Sequence, residues 1–318
     1  MNQPSLNQHG RLRTLRAIFG AGMLALSFWY IFQIVSEQAY AVKESLLNYQ
    51  FDWLIVGTIV AGAAYLPLIV AWKLLIEAQV RSATGQPRTP TALGIRPQFS
   101  YLVSTLAKYI PGKIGVPTAR HFFLTSPHSS LRTIFVLTVF EALGLTAAAF
   151  APFMILSGLE FVPAFSPLIV LIPALLVISY LLRGAMLSLL QNILRPYATY
   201  LSTYSILLIK IASLWIFAQL TLGVAFGCVI AASGASIRLS PSILFLPGSA
   251  AAIGVFAFWL PAGLAVRESF LIVILHTFYR MELAQATTVA LSSRMLLVCA
   301  DLIVGTIGLL VIFQQRKK

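Results

Sequence analysis

The chain has 318 residues, of which 59% are apolar and only 10% charged, with a formal net charge of +13. That balance excludes an ordinary soluble domain and indicates a polytopic membrane protein. A charge this positive would suggest nucleic acid in a soluble chain, but the basic residues cluster at the ends of apolar runs. This is the positive-inside pattern, and no nucleic-acid partner is expected.

Apolar runs of about 20 residues or more recur from Thr14 to Phe313, and lipid-exposed backbone must satisfy its own hydrogen bonds, so an all-α fold is expected. Arg11, Arg13 and Arg16 lead into an apolar stretch from Thr14 to Val35 with no small-residue cleavage site, which predicts a retained helix. A polar link with Glu37, Lys43 and Glu44 leads to a second helix over Asp52 to Val80. The next loop holds Arg81, Arg88, Arg96 and three prolines and is expected to be irregular and cytoplasmic.

Lys108 to Val116, "KYIPGKIGV", then places two lysines, a proline and two glycines in an otherwise apolar segment. Its flanks, Gln98 to Lys108 and Ile114 to Leu124, are each about 11 residues, too short for a core that needs about 20. They predict a re-entrant hairpin with Pro111 and Gly112 at its tip. A third helix follows from Leu131 to Ser157 with Glu141 inside it, then an external turn from Gly158 to Ser166. The fourth covers Pro167 to Leu182 and the fifth Tyr200 to Ala232. Pro241 to Tyr279 is interrupted by Trp259 to Glu268, "WLPAGLAVRE". The sixth helix, Met281 to Phe313, carries Arg294 and Asp301 and ends in Arg316, Lys317 and Lys318.

In this layout Arg11, Arg13, Arg16, Arg81, Arg88, Arg96, Arg120, Arg132, Arg183, Arg195, Arg316, Lys317 and Lys318 share one side. Only Lys43, Arg238 and Arg280 fall on the other, which predicts an even number of full spans and both termini in the cytoplasm.

Shifting the chain by 150 lays Ile110 to Val116 over Leu260 to Val266, both reading apolar, Pro, small, variable, apolar, small, Val. Helix starts agree at about the same offset, Thr14 with Pro167 and Leu131 with Met281. Residues 1–318 thus read as one integral membrane domain with pseudo-repeats 14–157 and 166–313. Three spans in the first unit would turn the second over, giving six full transmembrane helices plus two broken re-entrant hairpins in an inverted repeat, with a site near the midplane. The alternative is eight transmembrane helices, two of them kinked at proline.

Lys108, Lys113, Arg120, Arg267 and Glu268 lie in the broken segments, with Glu141, Arg294 and Asp301 in neighbouring helices. A cation at mid-helix costs about 2.5 to 3.5 kcal/mol on insertion scales, so these groups must meet water, each other or an anionic ligand. Half-helix ends offer free N–H groups that suit a phosphate beside lysine or arginine. A lipid phosphate is the natural candidate.

Plainer roles stand beside this one. Lys73 and Lys210 lie near helix ends and read as snorkelling anchors. Arg120 serves equally as a positive-inside residue of the hairpin's return. Arg294 and Asp301, seven residues and about 10 Å apart on one helix, are too distant to pair, so each needs a partner on another helix. Cys228 and Cys299, without metal-type or CxxC spacing, read as packing residues. His121, His128 and His276 have no metal-ligand partner at helical spacing, so neither metal nor cofactor is expected. No HExxH, GxSxG or G-x-x-x-x-G-K-[ST] occurs, which speaks against metalloprotease, serine hydrolase and ATPase.

At "KYIPGKIGV" and "LPAGLAVRE" the chain resembles the lysylphosphatidylglycerol synthase transmembrane-domain family, a flippase-type module found alone or fused to an aminoacyl-transferase domain. In that family the second motif usually carries glycines where Ala262 and Ala265 stand here. By position the resemblance implies substrate-binding roles for Lys108, Tyr109, Pro111, Gly112 and Lys113, and for Pro261, Gly263, Arg267 and Glu268. It also implies movement of a lipid or lipid-linked headgroup across a bacterial inner membrane. With the chain ending soon after its last helix, the soluble aminoacyl-transferase domain and aminoacyl-lipid synthesis are not expected.

The function expected is a lipid translocase for an anionic, aminoacylated or polyprenyl-phosphate-linked lipid. Lys108, Lys113 and Arg267 would hold the phosphate, with Arg120 nearby. Glu141, Glu268, Asp301 and Arg294 are candidates for proton or ion coupling. The alternative is a non-transporting membrane subunit that presents a lipid-linked substrate to a separate glycosyl- or aminoacyl-transferase. A membrane enzyme acting on a lipid phosphate is disfavoured by the missing catalytic constellations.

Overall fold

The computed structural model describes residues 49–84, 96–109, 115–124, 130–160, 205–235, 240–256 and 266–315. The described elements are all helical: α1 (Phe51–Ala63), α2 (Tyr65–Thr84), α3 (Arg96–Ala107), α4 (Gly115–Leu124), α5 (Leu131–Glu160), α6 (Ser205–Ala232), a 3-10 turn (Pro241–Leu244), α7 (Leu246–Phe256), α8 (Val266–Thr277) and α9 (Leu283–Gln315). Four stretches are long and apolar enough to cross a membrane: Phe51–Arg81, Leu131–Glu160, Ile206–Ala232 and Leu283–Val311. These apolar helices characterise a multi-pass membrane protein. The helices expected over Thr14 to Val35 and Pro167 to Leu182 lie outside the described residues.

The second expected helix is divided at Ala64, a turn between α1 and α2. Pro67 explains the break, because it has no N–H and its ring crowds the carbonyl four residues earlier, at Ala63. The Ala64 N–H is satisfied by both Val60 and Ala61 carbonyls, at 3.1 and 3.2 Å.

Long, short, short, long is the order of helices twice over. The long stretch α1–α2, then α3, α4 and α5, begin at Phe51, Arg96, Gly115 and Leu131; α6, α7, α8 and α9 begin at Ser205, Leu246, Val266 and Leu283, 150 to 154 positions later. The packing follows the same exchange. α3 packs on α4 and α9, while α7 packs on α8 and α5; α1 packs on α6 and α9, while α6 packs on α1 and α5.

Lipid offers no hydrophobic drive between helices, so small residues that admit close approach set where they meet. A Cβ on Gly223 of α6 would strike the backbone of Leu244, and one on Gly305 of α9 would strike the Leu106 side chain of α3. The second contact matters for the site. It seats α3 against the middle of α9, so the residues just past the α3 end, Lys108 and Tyr109, reach Asp301, one turn before Gly305.

At the far end of α8 the chain closes with Arg280 at φ +55° and the Met281 N–H on the Leu275 carbonyl, 3.1 Å. A left-handed residue at a helix end is usually glycine. The His276 ring joins it through Nδ1 and the Met281 carbonyl, 2.9 Å, so this histidine holds a helix end. Glu160, at the end of α5, takes hydrogen bonds from the backbone N–H and the hydroxyl of Ser242 and ties α5 to the 3-10 turn.

Cys228 is buried as expected, but Cys299 is exposed. Its position on α9 follows Met295, an outward residue one turn earlier, so helical periodicity turns it away from the core.

Candidate functional site

Asp301 is fully buried about halfway along α9, roughly 27 Å from its first residue and 21 Å from its last at the 1.5 Å helical rise. Its carboxylate accepts hydrogen bonds from the hydroxyls of Tyr65 and of Tyr109, the latter at 2.6 Å, and forms an ion pair with Lys108. The Lys108 side chain remains 37% exposed, against 1% for Asp301.

Two turns earlier on α9, Arg294 pairs with Glu268 at 3.8 Å and lies 5.9 Å from the centre of the Tyr109 ring. Arg294 and Asp301 thus find their partners on other segments. Glu268 stands in the first turn of α8, where the helix dipole favours a carboxylate. Its neighbour Arg267 is buried and makes no ion pair with a described residue, and its Nε has no hydrogen-bond partner. Three cations, Lys108, Arg267 and Arg294, therefore face two carboxylates, Glu268 and Asp301.

A third ion pair lies nearby. Arg120 of α4 and Glu141 of α5, both buried, pair directly, and the guanidinium also donates to Ser104 (3.1 Å) and Thr138 (3.4 Å). Its carbon sits 4.1 Å from the centre of the Trp72 ring and 4.5 Å from that of Tyr101, a cation–π arrangement on both. Trp72 donates in turn to Ser100. Arg120 therefore joins α2, α3, α4 and α5. Arg120 is thus buried against a carboxylate and two rings.

These groups line one cavity of about 600 Å³. Lys108, Tyr109, Arg120, Glu141, Arg267, Arg294 and Asp301 all contribute to its wall, together with Tyr65 and Tyr101. Residues flanking the two broken segments therefore share one space.

No family model, curated protein or solved structure matches this chain.

Of the residues expected from the sequence, Pro111, Gly112, Lys113, Pro261 and Gly263 lie outside the described residues. Tyr65, Trp72, Tyr101, Ser104 and Thr138 were missed. A tyrosine or tryptophan in an apolar span reads as packing, and nothing in its neighbourhood announces a charged partner that, for Tyr65, stands 236 positions away. Lys73 forms an i,i+4 pair with Glu77 at 3.7 Å with its side chain 40% exposed, and Lys210 is exposed. Among the described residues no three His, Cys, Asp or Glu side chains come together as a metal site would require.

Proposed function

We propose that this protein is a lipid translocase that holds the phosphate of an anionic lipid between Lys108, Arg267 and Arg294 while the headgroup crosses the membrane. The observation that carries the reading is Arg267: a buried guanidinium beside a cavity, with no ion pair to a described residue. An uncompensated cation at this depth costs about 2.5 to 3.5 kcal/mol on insertion scales, and a phosphate would offset that cost. Asp301 and Glu268 hold Lys108 and Arg294 in place between visits of the ligand.

The resemblance of "KYIPGKIGV" and "LPAGLAVRE" to the flippase-type module supports the same reading. So does the exchange of helix contacts between the two halves of the chain, which is what an inverted repeat with two re-entrant hairpins and six full spans produces. Both termini belong in the cytoplasm of a bacterial inner membrane by the distribution of arginine and lysine. Outward movement of one negative charge is favoured by about 2.3 kcal/mol per 100 mV there, so export needs no nucleotide.

The test is the protein in vesicles containing fluorescent phosphatidylglycerol, with leaflet exchange followed by quenching from outside. The wild type is expected to expose the inner pool, and Arg267→Ala to lose that activity while remaining folded. Binding of the lipid without exchange would overturn the translocase and leave the subunit that presents a lipid to a transferase.

A further inference from the structure

We infer that the cavity loads sideways from the bilayer, past Phe135, Val139 and Leu143 of α5, and that the acyl chains of the bound lipid lie on this stripe while its phosphate reaches the cations inside. The inference rests on the lipid reading above and specifies how the ligand gets in.

Three observations carry it. Phe135, Val139 and Leu143 line the cavity and yet are 48, 43 and 49% exposed, so the wall of the cavity and the outer surface of the protein are continuous at α5. Apart from Ala251 of α7, no other lining residue is exposed. The most exposed part of the lining is therefore apolar among the described residues, whereas Arg120, Glu141, Arg267 and Asp301 are buried and Lys108 and Arg294 are half-buried.

That sequence of environments matches one ligand chemistry. A free phosphate arriving from water is served by a rim of charged or hydrogen-bonding groups, which steer it and replace its water. Among the described residues the charged groups are buried or half-buried while the most exposed lining residues are apolar and suit contact with hydrocarbon. An amphiphile fits both: its anionic head compensates the spare positive charge inside, and its chains cover the stripe. Spaced four residues apart, the three side chains extend over about 12 Å of helix, enough to contact several methylenes. Leu131, 46% exposed four residues earlier, continues the stripe to the start of α5.

The experiment uses the full chain in vesicles of phosphatidylglycerol and phosphatidylcholine, with a fraction of the phosphatidylglycerol carrying a photoreactive diazirine midway along one chain. After illumination, adducts are mapped by peptide sequencing. They are expected to concentrate on Phe135 to Leu143 over Ile155, which is 59% exposed on the same helix but does not line the cavity. An excess of inorganic phosphate should leave this labelling unchanged. Labelling at Ile155 equal to that at Val139 would overturn the proposal, because it is the pattern of ordinary surface lipid. Loss of labelling with inorganic phosphate would also overturn it, as the cavity would then fill from water. In the leaflet assay, Val139→Trp should slow exchange by about tenfold and Ile155→Trp should not, with both melting as the wild type does. If exchange occurs but Val139→Trp does not slow it, the sideways route fails and the translocase stands. If no variant exchanges lipid but the stripe is selectively labelled, the route stands and the translocase fails.

Discussion

Tyr109 donates a 2.6 Å hydrogen bond to Asp301, a residue 192 positions later in the chain. This contact joins the edge of the first broken segment to the middle of the last helix, and with Lys108 and Tyr65 it gives the buried carboxylate three partners.

Removing the carboxylate should therefore destabilise the protein. Asp301→Ala leaves Lys108, Arg267 and Arg294 facing Glu268 alone; loss of one member of a fully buried pair costs about 3 to 5 kcal/mol, and the 37% exposure of Lys108 makes that an upper bound here. Thermal unfolding in detergent is expected to show this loss, and addition of Lys108→Met is expected to restore part of it.

Arg267 should behave in the opposite sense. Since it has no ion pair to a described residue, Arg267→Met is expected to raise the melting temperature of the ligand-free protein. The same variant should lose the stabilisation that added phosphatidylglycerol confers on the wild type, because a ligand stabilises only the state that binds it. Equal lipid-induced shifts in both proteins would sink Arg267 as a phosphate ligand.

The Arg120 and Glu141 pair separates the cost of a broken pair from the worth of an intact one. Arg120→Ala should cost about 3 to 5 kcal/mol, because Glu141 is left buried and the Trp72 and Tyr101 faces lose their cation. The double change Arg120→Met with Glu141→Leu should cost less than either single truncation, as read by the same unfolding measurement.

Two glycines should differ in their tolerance. A Cβ at Gly223 meets the backbone of Leu244, which cannot turn away, whereas one at Gly305 meets the end of the Leu106 side chain, which can. Gly223→Ala is expected to cost about 1 to 3 kcal/mol and Gly305→Ala less, measured as yield and melting of folded protein in detergent.

At Arg280 the φ of +55° holds an arginine in a conformation that glycine adopts without strain. Arg280→Gly should stabilise the α8 end by about 1 kcal/mol and Arg280→Val should weaken it, an order that unfolding curves can check.

Much of the fold was legible in the chain. A run apolar enough to lie in lipid must be helical, since no other open structure satisfies its backbone there, and short arms around proline and glycine cannot span. The expected arms at Gln98 to Lys108 and Ile114 to Leu124 correspond to Arg96–Ala107 and Gly115–Leu124, and the helix expected from Leu131 is Leu131–Glu160. The division at Ala64 was also written in the sequence, at Pro67, but a single proline near the middle of a long apolar run is compatible with an unbroken span. Cost arguments likewise singled out Lys108, Arg267, Arg294 and Asp301, because charges at that depth require partners.

Among the described residues, the sequence by itself determined which segments are helices and which charges needed compensation, consequences of local composition in a medium without water. Only the tertiary structure decided who compensates whom: Asp301 with Lys108, Tyr65 and Tyr109, Glu268 with Arg294, and Arg120 with Glu141 between two rings. Such pairings depend on which helix faces which, and that follows from close packing at residues such as Gly305 and Gly223. That Arg267 makes no ion pair with a described residue is likewise a property of the assembled helices.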